Sequence, residues 1–190
     1  NDFTQAKHHL ELALVAEPDS LIATQYLVAT VANLGSYEEA VKISRDGLEK
    51  HPKSEGLCIQ LAKLFQARED FPSALEVLEQ AICSIGQTER LLRILTITLI
   101  KLERVSEAFH YLDLVLEINP RLTNFCSMRA GLSNYIERVT SEEQLEIAKA
   151  YEKSLAIKTE KIYSSWHCEF KPHPLRIGFV SGDFYNHVVG

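Results

Sequence analysis

Ser181, Asp183 and His187 are the residues of this chain best placed for chemistry. They follow Leu175-Arg176-Ile177-Gly178-Phe179-Val180, a short apolar run that reads as a buried strand entering a Gly182-Asp183 turn. In open α/β sheets ligands sit beyond the carboxyl ends of such strands, and these three side chains occupy that end. A second set is electrostatic: Lys63, Arg90, Arg93 and Lys101 lie on segments of helical period, with Gln25 and Gln66 as amide-bearing neighbours. Together they suit a carboxylate-bearing or extended segment. The competing reading is a solvated helix face, since isolated surface charges contribute little.

Metal chemistry is not expected. His167, Cys168 and His173 are ligand types, but their spacing fits no closed tetrahedral site and Trp166 beside them points to packing. The four cysteines form no CxxC pair. Cys58, Cys83 and Cys126 fall among apolar residues and read as small buried hydrophobes, so reduced thiols and a cytoplasmic setting are expected. His8-His9 reads as a solvated pair on an exposed helix face.

The elements that must position these residues are written into the chain as a period. Ala6, Ala40, Ala74 and Ala108 are spaced by 34 residues. Phe3, Tyr37, Phe71 or Val105 stands three before each, and Pro18, Pro52, Gly86 or Pro120 twelve after. A fixed period in this range marks a stacked array of helix pairs. In the unit 21–54, helix A spans Leu21 to Leu34 and helix B spans Tyr37 to Lys50. Tyr26, Leu27, Thr30, Val31 and Leu34 form the apolar stripe of helix A. Gly35 suits a left-handed cap, Ser36 an N-cap, and Pro52 a stop. Ala40 is small where the pair crosses most closely. Units 55–88 and 89–122 repeat the pattern. Asn124–Glu137 and Glu142–Ile157 form an irregular fifth pair (unit 123–160), joined by a loop at Arg138-Val139-Thr140-Ser141. Ser141 and Gln144 fit a capping box there. Residues 1–20 read as a helix B whose stripe (Phe3, Ala6, Leu10, Ala13) is built to be covered by a preceding helix, so further sequence upstream is expected.

The array resembles the tetratricopeptide repeat, whose small, aromatic, alanine and proline positions these are, over residues 1 to 120. The resemblance implies an all-α, right-handed superhelical solenoid over 1–160 whose A helices line a concave groove. Gln25, Ala29, Ala32, Ile59, Lys63, Gln66, Arg90, Arg93, Ile97 and Lys101 are then the groove residues, and a protein or peptide is the expected occupant. The asparagine ladder of some long arrays is missing: its positions hold Tyr26, Gln60, Ile94 and Met128.

Net charge is −6, which supplies no attraction for nucleic acid or an anionic membrane. No apolar run reaches the roughly 18 residues of a membrane-spanning helix. Lys171-Pro172-His173-Pro174 ends the helical region, so 161–174 reads as a connector and 175–190 as the first strand and turn of a truncated α/β domain of the GT-B type. Repeats, an irregular pair, and then Leu-Arg-Ile-Gly-Phe-Val-Ser-Gly-Asp-Phe-Tyr-Asn-His (175–187) resemble the entry into the catalytic region of O-linked N-acetylglucosamine transferases. The SPINDLY-type O-fucosyltransferases are relatives, and Val188-Val189-Gly190 is similar to bacterial members, although a proline commonly stands at the position of Val188.

That resemblance implies inverting, metal-independent transfer of a sugar, GlcNAc in the simplest case, from a UDP-sugar to protein Ser or Thr. It implies a general-base role for His187, with Asp183 orienting it; alternatively Asp183 caps the next segment and His187 shapes the cleft. The phosphate-binding groups belong to a later domain, so this chain alone is not expected to turn over a UDP-sugar and carries no cofactor. The rival reading is a non-catalytic scaffold of repeats.

Overall fold

The computed structural model describes residues 2–156, all of whose regular elements are helical. The expected strand at 175–190, the connector, and the residues Ser181, Asp183 and His187 lie outside the described residues. Nine α-helices follow one another: α1 (Asp2–Ala16), α2 (Leu21–Asn33), α3 (Tyr37–Lys50), α4 (Glu55–Ala67), α5 (Phe71–Ile85), α6 (Glu89–Lys101), α7 (Val105–Ile118), α8 (Thr123–Leu132) and α9 (Ser141–Ala156). Even-numbered helices are the A members of each pair and odd-numbered ones the B members, with the bounds that the period predicts for the regular units.

Local chemistry sets the turns. Between A and B helices the chain reverses through a left-handed residue at Gly35 (φ 81), Glu69 (φ 60) and Glu103 (φ 59), again at intervals of 34. Each reversal is closed by the same backbone bond: Ser36 N to Val31 O (3.2 Å), Asp70 N to Phe65 O (2.9 Å) and Arg104 N to Leu99 O (2.9 Å). This six-to-one pattern satisfies carbonyls that a helix end would otherwise orphan. Glycine adopts that conformation freely; the two glutamates adopt it at a cost. Between B and A helices Pro18 and Pro52 occupy the second position of turns closed by Ser20 N to Glu17 O (3.1 Å) and Ser54 N to His51 O (3.0 Å). Proline's fixed φ suits that position. Ser54 and Thr88 then cap α4 and α6, accepting from Leu57 N and Leu91 N. Asp70 caps α5 through Ser73 N. Ser36 stands at the N-cap of α3 as expected, yet its side chain makes no cap bond.

Packing follows the stripes. Ala40, Ala74 and Ala108 are fully buried where each B helix crosses its A helix. Their counterpart Ala6 is only half-buried, and α1 contains no buried residue. Leu27, Leu61 and Leu95, one position in three successive units, are at most 5% exposed. The largest apolar cluster runs from Cys58 to Ala108, so the core is shared between units. At Gly47 an added Cβ would lie 2.8 Å from Thr24 Cγ2 and 3.0 Å from Leu57 Cδ1, which measures how tightly α3 sits against α2 and α4.

The last pair departs from the expected layout. α8 stops at Leu132 and a 3-10 turn (Ser133–Tyr135) follows, where a helix to Glu137 was expected. The final helix, expected from Glu142, opens at Ser141, two residues past the Val139 that a strict 34-residue step from Val105 would give. The capping box is one residue earlier than expected: Thr140 Oγ1 accepts from Glu143 N (3.2 Å), and Glu143 Oε2 accepts from Thr140 N (2.8 Å). Ile136 and Ile147 pack on Phe109, which draws the connection down onto α7 and displaces α9. Cys83, expected inside, is exposed; Cys58 and Cys126 are buried.

Two outcomes test these assignments. Gly35→Ala meets no atom within 4 Å, so its cost is backbone strain alone, about 1 kcal/mol. Glu103→Gly relieves the same strain and should stabilise by a few tenths of a kcal/mol after glycine's extra unfolded-chain entropy. Urea unfolding midpoints should therefore move in opposite directions. In a Cys168→Ser background, Cys83 should react rapidly with Ellman's reagent. Cys58, whose thiol pKa is pushed up by burial, and Cys126 should react only on unfolding.

Candidate functional site

Successive A helices pack directly on one another, α2 on α4 and α4 on α6, whereas successive B helices make no comparable contact. An array held closer along its A side must curve with the A helices inside. On the outer side this curvature opens grooves at the α1–α3 and α3–α5 junctions. One of about 270 Å³ is floored by Leu14 and Leu27, and the equivalent of about 590 Å³ one unit later is floored by Leu48 and Leu61. Their recurrence in register marks them as consequences of the curvature.

Four of the six polar residues expected to face a ligand on the inner face are engaged by the neighbouring helix. Gln25 Nε2 donates to Ser54 Oγ (3.2 Å), and its backbone carbonyl accepts from Gln60 Nε2 (2.9 Å). That close approach needs Gly56, where a Cβ would come within 2.4 Å of the Gln25 amide nitrogen. Gln66 Nε2 donates to Thr98 Oγ1 (2.7 Å). Arg90 pairs with Glu55 (2.8 Å), which also accepts from the Thr88 hydroxyl. Arg93 reaches Glu89 (3.4 Å) and lies over the Phe125 ring at 5.3 Å. These groups tie unit to unit. Ile59 is not a groove residue; at 5% exposure it belongs to the core. Ala29, Ala32 and Ile97 are half-buried on α2 and α6.

Lys63 and Lys101 remain, both exposed and without an ion-pair partner among the described residues. The basic character expected across the later groove thus reduces to these two ammonium groups, because each arginine already faces a carboxylate. One buried acceptor on this face, Gln60 Oε1, has no hydrogen-bond partner.

The sequence reading missed an apolar pair. Ile22 (68% exposed) and Tyr26 (64% exposed) lie one turn apart on α2. The helical period alone puts Tyr26 in the buried stripe, and the structure puts it outside. The signal against that placement was in the register. Position 27 holds leucine in three successive units, whereas position 26 is followed by Gln60, Ile94 and Met128.

Among the described residues no group of three or more His, Cys, Asp or Glu is placed to hold a metal ion, and no helix is long and apolar enough to cross a membrane. What the inner face offers is non-covalent: an apolar anchor on α2, amides between helices, and two unengaged ammonium groups on α4 and α6.

No family model matches the chain, and no curated protein matches it. Solved structures do. A double mutant of MamA RS-1 superposes with a TM-score of 0.70 at 14% identity, over 84% of this chain and 88% of that one. MamA from residue 41 onward, from Desulfovibrio magneticus RS-1, gives a TM-score of 0.66 at 14% identity over 83% and 86%. YrrB, described as a TPR protein with an unusual peptide-binding site, gives 0.66 at 18% identity over 76% and 74%. At such identities the likeness concerns the fold alone. Residues 2–156 form a helical solenoid of the tetratricopeptide-repeat type.

Proposed function

We propose that this chain is a protein-interaction module whose inner face holds a segment of a partner protein. The observation that carries the reading is the combination on that face of the exposed Ile22–Tyr26 pair with the unengaged Lys63 and Lys101. Burying the two apolar side chains is worth roughly 1.5–3 kcal/mol each. The lysines favour a segment with carboxylates along its length or at its end. The peptide-binding site in YrrB's description fits this reading.

Panning a displayed random-peptide library against the full chain should enrich sequences with an aromatic or aliphatic residue followed by Asp or Glu. Tyr26→Ala and the pair Lys63→Glu, Lys101→Glu should each weaken those peptides about tenfold, the second effect fading at high salt. Selected peptides whose affinity survives both changes would place binding elsewhere.

A second reading rests on the run Leu175–His187: the repeats serve as the acceptor-recognition region of an O-glycosyltransferase that takes GlcNAc from a UDP-sugar. A solenoid joined through a short proline-containing connector raises the effective concentration of a bound protein at an adjacent cleft. His187 would stand at the mouth of that cleft, with Asp183 beside it. A cytoplasmic setting goes with either reading, on the reading of the cysteines as reduced thiols; Cys58, Cys83 and Cys126 are free. In the longer enzyme that this second reading requires, His187→Ala should cut UDP-sugar turnover strongly and leave binding of protein acceptors nearly intact. Unchanged turnover would remove the histidine from the chemistry and leave the interaction module standing.

A further inference from the structure

The stretch that breaks the period, between α8 and α9, builds a pocket beside α7. In the regular units a turn of a few residues joins A to B. Here the 3-10 turn and residues 136–140 take its place, held down by Ile136 at 7% exposure in a cluster with Phe109 and Val139. Pinning Ile136 leaves Tyr135, on its N-terminal side, 77% exposed. Arg138 stands just beyond on the other side. These residues face the first half of α7 across an opening of about 690 Å³ whose far wall carries Ser106, His110 and Tyr111. The His110 and Tyr111 rings meet edge-on with centroids 5.4 Å apart. Tyr111 is anchored by packing into the core on its inner side.

Charge decides against an ionic ligand. Glu107 on the pocket wall is already held by Arg104 through two bonds of 2.7 and 2.6 Å, which keep its carboxyl below the usual range. Glu137 and Arg138 offset one another. Arg104 is near enough to Tyr111 to interact with it electrostatically. A cation over an exposed ring gains only about 0.5–1 kcal/mol, and two guanidinium groups nearby oppose that gain.

Donors, by contrast, are in surplus. The phenols of Tyr111 and Tyr135, the Ser106 hydroxyl, a His110 ring nitrogen and the Arg138 guanidinium line the pocket, against the one unengaged carboxylate of Glu137. None has a hydrogen-bond partner among the described residues. The matching ligand is neutral, has flat apolar faces to lie on aromatic rings, and presents more acceptors than donors. A proline-rich strand in the polyproline II conformation has those properties: its carbonyls are unpaired, proline has no N–H, and its rings stack on aromatic side chains. We propose that the pocket formed by Tyr135, Tyr111 and His110 at the break in the repeat binds a proline-rich segment of a partner protein. It shares no residue with the inner-face groove, so the two sites stand or fall separately.

The test is a titration of the isotopically labelled full chain with a short oligoproline peptide, followed by amide shifts. Shifts should centre on residues 106–111 and 133–138. Tyr135→Ala should weaken the response at least about tenfold, as loss of an aromatic anchor does. Tyr111→Phe, which keeps the buried ring and removes only the hydroxyl, should weaken it several-fold. The pair Lys63→Glu, Lys101→Glu should leave it unchanged. No shift at millimolar oligoproline, shifts centred on α2 and α4, or an equal response to oligolysine would each overturn the proposal.

Discussion

Everything in this array depends on the crossing of the two helices of a pair at a fully buried alanine. Ala40, Ala74 and Ala108 have no exposed surface at that crossing. Extra methylenes at so tight a contact would force the pair apart, and overpacked sites typically cost about 1–3 kcal/mol. A close crossing fixes the angle of each hairpin. Repeating one hairpin geometry at one spacing fixes the curvature, and the curvature decides which helices lie inside. Ala6 supplies the control. It has the same residue type and register as the others, yet it is only half-buried, since no A helix packs on its outer side among the described residues.

The curvature has a price in polar groups. Bringing A helices into direct contact crowds side chains that a single helix would leave in water. Gln25, Gln60, Gln66, Arg90 and Arg93 meet this by contacts to a neighbouring helix or its cap. Such bonds add about 1 kcal/mol each at most when partly exposed, so they orient the units more than they hold them together. The holding comes from the shared apolar cluster. Residues free for a partner are those that this inter-unit bonding leaves over.

The irregular last pair obeys the same physics with different residues. Ile136 and Ile147 find apolar cover against Phe109, and that burial outweighs keeping the short turn of the other units. The helix that follows begins where Thr140 and Glu143 can satisfy each other's backbone donors. Two residues of offset are enough to expose Tyr135 and open a pocket beside α7.

Helix bounds in the regular units were legible in the sequence because they are set locally. Gly35 reaches positive φ, Pro18 and Pro52 stop helices, and the leucines at positions 27, 61 and 95 repeat the buried stripe. The rest required packing between units that lie far apart in the chain. Tyr26 fits the helical period as well as Leu27 does; the leucine recurring at 61 and 95 marks which of the two is buried, and packing against the next A helix is the physical cause. Ile59 and Arg93 share a register position; the first is buried, and the second spans from Glu89 to the Phe125 ring. Residue type and spacing determined that there would be an inner face. Which of its side chains are bound to a neighbouring unit and which are open to a partner was decided by the tertiary structure, because hydrogen-bond and ion-pair partners about 30 residues away leave no trace in local periodicity.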